Sequence, residues 1–241
     1  GIWHDFTHDF SGLAPNLEKL IYYDWNADIQ EINEQLQSNT DFILSNHSYG
    51  TLIFGAAGEL AISSESIGYY SSISKTIDQI LNVYPYYTMI LASGNDGDES
   101  YTSLGQPLEG IDLMVDYNVS KNSISVGSIN NQNFPWAETT LSDFSSGGPT
   151  NDGRIKPEIM SLGEGYRVAG WDEDNPDEKD SYFVVNGTSF ASPSLTGGSA
   201  LLQQHYTSIH DSYMLSSTLK ALLCHSACLL YTSDAADDVR G

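Results

Sequence analysis

Apolar positions along this chain switch between two spacings. Residues 28–36 set Ile29, Ile32 and Leu36 at helical intervals, and from residue 67 the positions Ile67, Tyr70, Ile73, Ile77, Ile80 and Leu81 follow one helical face that must end before Pro85. Residues 191–206 and 217–225 read as two further helices. Short apolar runs at 20–23, 42–44, 87–92, 123–126 and 182–185, bounded by Gly, Asn and Ser, predict strands. Strands and helices that alternate in this way predict an α/β fold: a three-layer sandwich with a largely parallel central sheet and helices on both faces. No repeat or linker divides the chain, and residues 1–227 read as one domain.

Three of these strands end in small, polar, glycine-flanked segments: Ser45 to Gly50, Ser93 to Gly97, and Asn186 to Ser189. Open α/β sheets bind ligands at the carboxyl ends of their strands, and the three segments are expected to converge on one cleft. Ser189 lies where a helix begins, and there the free N–H groups and the positive end of the helix dipole favour negative charge developing beside its hydroxyl. Asn95, between Gly94 and Asp96-Gly97, offers an amide able to donate to an oxyanion.

Composition narrows the partners. The chain has 241 residues, with 9 basic and 32 acidic side chains and a net charge of −23. That field repels phosphates and anionic lipid surfaces, which argues against nucleic acid and membrane partners. No apolar run approaches the ~18–20 residues of a membrane-spanning helix. Charged residues are only 17% of the chain, so the imbalance comes from scarce Lys and Arg, a pattern suited to a secreted or salt-exposed protein.

Cys224 and Cys228, around His225, are one ligand short of a closed zinc site, and Cys224 reads as a small buried thiol on a helix; no metal site is assigned. Residues 171–180 form an acidic segment without the spacing of a calcium loop and read as a surface insertion. The chemistry needs no cofactor, and structural calcium is left open. The chain opens on Gly1 with no targeting segment in view. Residues 228–241 resemble the in-frame read-through of a sequencing adaptor and are set aside as non-native.

Four blocks occur in series: Asn46-His47-Ser48-Tyr49-Gly50, Ala92-Ser93-Gly94-Asn95-Asp96-Gly97, Phe144-Ser145-Ser146-Gly147-Gly148-Pro149 and Gly187-Thr188-Ser189-Phe190-Ala191-Ser192-Pro193. In that order they resemble the subtilisin-like serine peptidases, the subtilases, and the resemblance runs over residues 12–227. It implies a subtilisin-like fold and an endopeptidase that acts on extended polypeptides outside the cytoplasm. By the same resemblance Ser189 is the nucleophile and Asn95 the side-chain donor to the oxyanion. Ser48, Tyr49 and Gly50 would pair with the substrate backbone and wall one side of its S1 pocket, with Ala92, Ser93 and Gly94 on the other.

The family order is Asp, His, Ser, and its His block precedes a Gly-x-Ala-Pro landmark matched here by Gly12-Leu13-Ala14-Pro15. The Asp and His blocks are therefore expected before Gly1, leaving a catalytic domain incomplete at its N-terminus and nearly inert alone. His4 and His8 are each followed by Asp but lack the Gly-Thr/Ser-His continuation. His47 should point into the body if Ser48 lines the cleft, because neighbours on an extended segment face opposite ways. His205, His210 and His225 read as structural or surface residues. Met160-Ser161-Leu162-Gly163 stands where the family often has an Ala-Pro-Gly turn.

Two other readings compete. One is a non-catalytic subtilase-like module that binds extended peptides. The other is an esterase of the α/β-hydrolase kind, whose nucleophile elbow needs Gly-x-Ser-x-Gly, whereas residues 187–191 end in Ala191.

Overall fold

The computed structural model describes residues 2–4, 9–23, 26–55, 57–98, 113–130, 139–169 and 182–228. Two short strands, β1 (Ile2–His4) and β2 (Asp9–Ser11), pair antiparallel near the N-terminus. The central sheet follows from α1 (Asp28–Ser38), β3 (Leu44–His47), α2 (Ser72–Val83), β4 (Thr88–Ala92) and β5 (Ile124–Asn130). β3 pairs parallel with β4, β4 with β5, and β5 with β7 (Ile159–Leu162), while β6 (Thr140–Leu141) runs antiparallel to β5. A separate hairpin, β8 (Tyr166–Ala169) and β9 (Tyr182–Val185), leads into α3 (Thr188–His210), followed by α4 (Ser216–Ser226).

Every residue of β4 is buried, as expected of a parallel strand covered on both faces. Its side chains divide by the two-residue period. Met89 and Leu91 join Ile32 and Leu36 of α1 and Ile77 and Leu81 of α2. Ile90 faces the other way, with Ile124 and Val126 of β5, Ala191 of α3, and Leu219 and Leu223 of α4. Two apolar layers thus sandwich one mostly parallel sheet, the architecture expected from the alternating pattern. The carboxyl ends of β3 and β4 and the start of α3 lie at the same end of it, which positions the site.

The structure corrects several local expectations. Residues 20–23 form no strand: Leu20 and Tyr22 are 85% and 88% exposed, and among the described residues no strand pairs with them. Helix α2 starts at Ser72 rather than near Ile67, because the Ser71 hydroxyl caps it by accepting the Ser74 N–H at 3.3 Å. Strand β3 runs three residues beyond the apolar run, through Ser45, Asn46 and His47, held by β4 alongside. Residues 159–162 are a strand paired with β5. Cys224 lies on α4 as expected but is exposed, because that face of the helix points away from the Leu219 and Leu223 core. Residues 171–180 and 229–241 lie outside the described residues. Among those described, no helix is long and apolar enough to cross a membrane.

Candidate active site

Two turns meet at the strand ends. After β4 the backbone passes through Gly94 with φ +118°, and after β9 through Gly187 with φ +151°, conformations that glycine reaches without strain. Thr188 clasps the two turns together. Its N–H donates to Asn95 Oδ1 at 2.8 Å, its Oγ1 donates to the same oxygen at 2.9 Å, and Gly94 N–H reaches Thr188 Oγ1 at 3.2 Å. A backbone N–H bonds only an acceptor, so the Asn95 oxygen faces Thr188 and its Nδ2 is the free end of the amide. That nitrogen lies 3.6 Å from where a Cβ on Gly187 would sit. Ser146 braces the same loop, donating its N–H to Gly94 O at 3.0 Å and accepting the Asp96 N–H on its Oγ at 3.0 Å.

Ser189 is the second residue of α3, in the turn where N–H groups lack intrahelical acceptors and the dipole is positive. Four residues on stands Pro193, inside the helix. Proline has no N–H, so the carbonyl of Ser189 loses its helical donor. The Ser48 hydroxyl supplies one instead, donating to Ser189 O at 2.8 Å, while Ser189 Oγ donates to Ser48 O at 3.4 Å. Asn46, on the same side of the segment as Ser48, accepts from Ser192 Oγ at 2.7 Å and donates to Ser48 Oγ at 3.0 Å. Ser189 and Ser48 are half-buried, and Asn95 and Gly50 are exposed.

His47 faces the other way. It is buried between Ser45 Oγ, 2.8 Å from Nε2, and Tyr49 Oη, 2.6 Å from Nδ1. Burial pushes the imidazole down to about 4, against the partial opposition of Asp28. The unfolded chain therefore takes up a proton near the ordinary histidine value of 6.5 while the folded chain does not, so stability falls as pH falls through that window. The expected loss between those limits is roughly 3 kcal/mol. Urea unfolding midpoints across the window should drop steeply for the wild type and more gently, by one proton, for His47→Gln.

The structure brings Ser189, Asn95 and Ser48 together and places Gly50 just beyond. The Tyr49 side chain is turned inward to Asp28, so only its backbone is available to a groove. Ala92 and Ser93 are buried beneath the turn, with Ala92 O accepting from Asn118 Nδ2 at 3.0 Å. Among the described residues no imidazole hydrogen-bonds to Ser189; His205, His210 and His225 are exposed on α3 and α4, and the side chains of His4 and His8 lie outside the description. Sequence reasoning missed Thr188, Ser146 and Pro193 as structural partners of the site, although all three lie inside the quoted blocks. No group of His, Cys, Asp or Glu among the described residues is arranged to hold a metal ion.

Known proteins resemble this chain in sequence and in fold. The C5a peptidase of Streptococcus pyogenes is 35% identical over 99 residues, which cover 40% of this chain and 8% of that protein. A serine protease/ABC transporter B family protein, tagB, of Dictyostelium discoideum is 31% identical over 112 residues, covering 39% of this chain and 6% of its own length. The chain thus aligns with only a small part of these relatives. Among solved structures, the prenylagaramide maturation protease PagA superposes with a TM-score of 0.58 at 20% identity, covering 92% of this chain and 67% of that one. A cold adapted subtilisin-like serine proteinase gives 0.53 at 18% identity, covering 86% and 56%. These likenesses show the fold. With a mostly parallel sheet of this order, a serine at the head of the helix after its last hairpin, and a match to the Subtilase family across residues 10–240, the chain belongs to the subtilase family.

Proposed function

We propose that this chain carries the nucleophile and oxyanion side of a serine endopeptidase site. Ser189 Oγ attacks the scissile carbonyl carbon of an extended polypeptide, its proton passes to a general base, and the C–N bond breaks as that proton reaches the departing amine. Water then releases the acyl group from Ser189. Asn95 Nδ2 stabilises the oxyanion, and residues 48–50 pair with the substrate backbone. The reaction also needs an imidazole base and its orienting carboxylate, which no described residue brings to Ser189, and without them Ser189 cleaves only at a residual level. An extracytoplasmic setting fits the acidic surplus.

The observation that carries this reading is the Thr188 clasp, which fixes the Asn95 amide with its donor end beside the turn that presents Ser189. The test is reaction with a fluorophosphonate serine probe, with the modified residue located by mass spectrometry. The chain is tested alone and fused to a subtilase N-terminal piece bearing Asp and His. Fast labelling of the fusion at Ser189, with slow labelling of the chain alone, is the expected result. Labelling of neither at Ser189 refutes it, and if both still bind an extended peptide the chain is a non-catalytic peptide-binding module.

A further inference from the structure

The ribbon at 45–49 is tied down on both faces. Even-numbered Asn46 and Ser48 hold α3 at Ser192 and Ser189. Odd-numbered Ser45, His47 and Tyr49 enter a hydrogen-bonded chain that ends on a carboxylate: Tyr87 Oη to Ser45 Oγ at 2.6 Å, Ser45 Oγ to His47 Nε2 at 2.8 Å, His47 Nδ1 to Tyr49 Oη at 2.6 Å, and Tyr49 Oη to Asp28 Oδ2 at 2.8 Å.

The carboxylate fixes the direction of every proton. An ionised Asp28 only accepts, so Tyr49 spends its single proton there and must accept from His47. His47 therefore carries its hydrogen on Nδ1, its Nε2 accepts from Ser45, and Ser45 accepts from Tyr87. All the protons point toward Asp28. A second proton on His47 would turn Nε2 from an acceptor into a donor toward Ser45 Oγ, which already accepts from Tyr87, and the Ser45 hydroxyl proton would lose its acceptor in the relay. The relay accommodates a neutral imidazole only. Asp28 Oδ1 also accepts the Ile29 N–H at 2.7 Å and the Tyr117 hydroxyl at 3.4 Å, and the Tyr117 ring meets Tyr49 edge-on.

We propose that the side chains of Asp28, Tyr49 and His47 are positioning groups which hold segment 45–50 in the place where Ser48 meets Ser189, and so set the affinity for an extended peptide without themselves touching it. The proposal rests on the peptidase reading for its ligand, but the fixing of the segment can be measured without one.

Two conservative variants cut the relay: Tyr49→Phe removes one oxygen, and Asp28→Asn removes the charge that orders the protons. Amide hydrogen exchange is read in both alongside the wild type, together with fluorescence-anisotropy binding of a labelled hexapeptide of small residues and of a labelled dipeptide. In each variant, exchange across 45–50 should accelerate about tenfold and hexapeptide affinity should fall about tenfold, with dipeptide binding and exchange in β5 and α4 unchanged. Acidification of the wild type to about pH 4 should loosen the same segment.

Wild-type exchange at 45–50 in both variants overturns the proposal. Acceleration spread evenly over the chain also overturns it, since that marks a purely structural role. A wild type that binds no hexapeptide counts against the peptidase reading, and the exchange data then decide the positioning role on their own.

Discussion

Replacing Glu158 with glutamine is expected to lower the unfolding free energy by about 3–5 kcal/mol. Glu158 stands just ahead of β7, at the end of the sheet away from Ser189, and joins three segments. Its Oε1 accepts Lys156 Nζ at 2.8 Å and Lys220 Nζ at 2.6 Å, and its Oε2 accepts the Ser125 N–H of β5 at 2.8 Å. Lys220 spends its remaining donors on Lys121 O at 3.0 Å and Ser123 O at 2.7 Å. The Lys156 side chain is 1% exposed. Burial lowers its ammonium to about 8, with Glu158 as the main opposing force. Burial alone would raise the Glu158 carboxyl, but the two lysines hold it below its ordinary value.

Glutamine keeps the shape and one acceptor but leaves two ammonium groups facing a neutral amide in a site with little water. The cost is that of uncompensated buried charge, larger than the net worth of the original pairs. For a domain of this size the melting midpoint should fall by roughly 10 °C. Lys156→Met, which removes one cation and leaves Glu158 paired with Lys220, should cost much less. Urea unfolding of the three proteins at pH 7 checks the comparison; equal losses for both variants would mean that packing, and not charge, is the cause. Because the folded carboxyl lies below its unfolded value, the stability that Glu158 contributes is complete above the ordinary carboxylate range and is lost as acid protonates it.

Periodicity revealed the elements whose burial is one-sided or complete. β4 is apolar throughout because both faces are covered, and α2 shows its buried stripe because its other face meets water. β7 escaped notice because all four residues are only half-buried and the stretch before it carries the charged Lys156 and Glu158. Residues 20–23 misled for the opposite reason: apolar composition suggests a strand, but a strand needs a neighbour. At the site, the residue types Ser189 and Asn95 were legible from their blocks, and the inward turn of His47 from simple alternation. What could not be read was the pairing of distant groups. Pro193 in a helix looks like a local defect until Ser48, 141 residues from Ser189, is seen donating to the carbonyl that the proline leaves free. Asp28 reads as an ordinary acidic residue of a helix's first turn, and only its contact with Tyr49 shows it anchoring the cleft segment.

Asn95→Ala in the fusion bearing Asp and His is expected to slow labelling of Ser189 by about 10²–10³-fold, a magnitude carried over from the matching side-chain donor of subtilisin itself. The structural reason is the fixed orientation of the amide. Two donors from Thr188 converge on Oδ1 at 2.8 and 2.9 Å, so Nδ2 cannot exchange places with the oxygen and costs no reorganisation when negative charge develops nearby. Asn95→Asp separates this role from simple bracing. Aspartate keeps an oxygen for Thr188, so the clasp and the melting point should survive, but it replaces the donor with a charged acceptor and should label at least as slowly as alanine. Thr188→Val, which deletes the hydroxyl and keeps the backbone N–H, should cost only about tenfold, since one of the two bonds that aim the amide remains. Second-order labelling rates of the three variants, measured beside their unfolding midpoints, give the decision. Wild-type rates in both Asn95 variants would remove this amide from the oxyanion site, whereas slow labelling by a fully stable Asn95→Asp protein would leave loss of the donor as its cause.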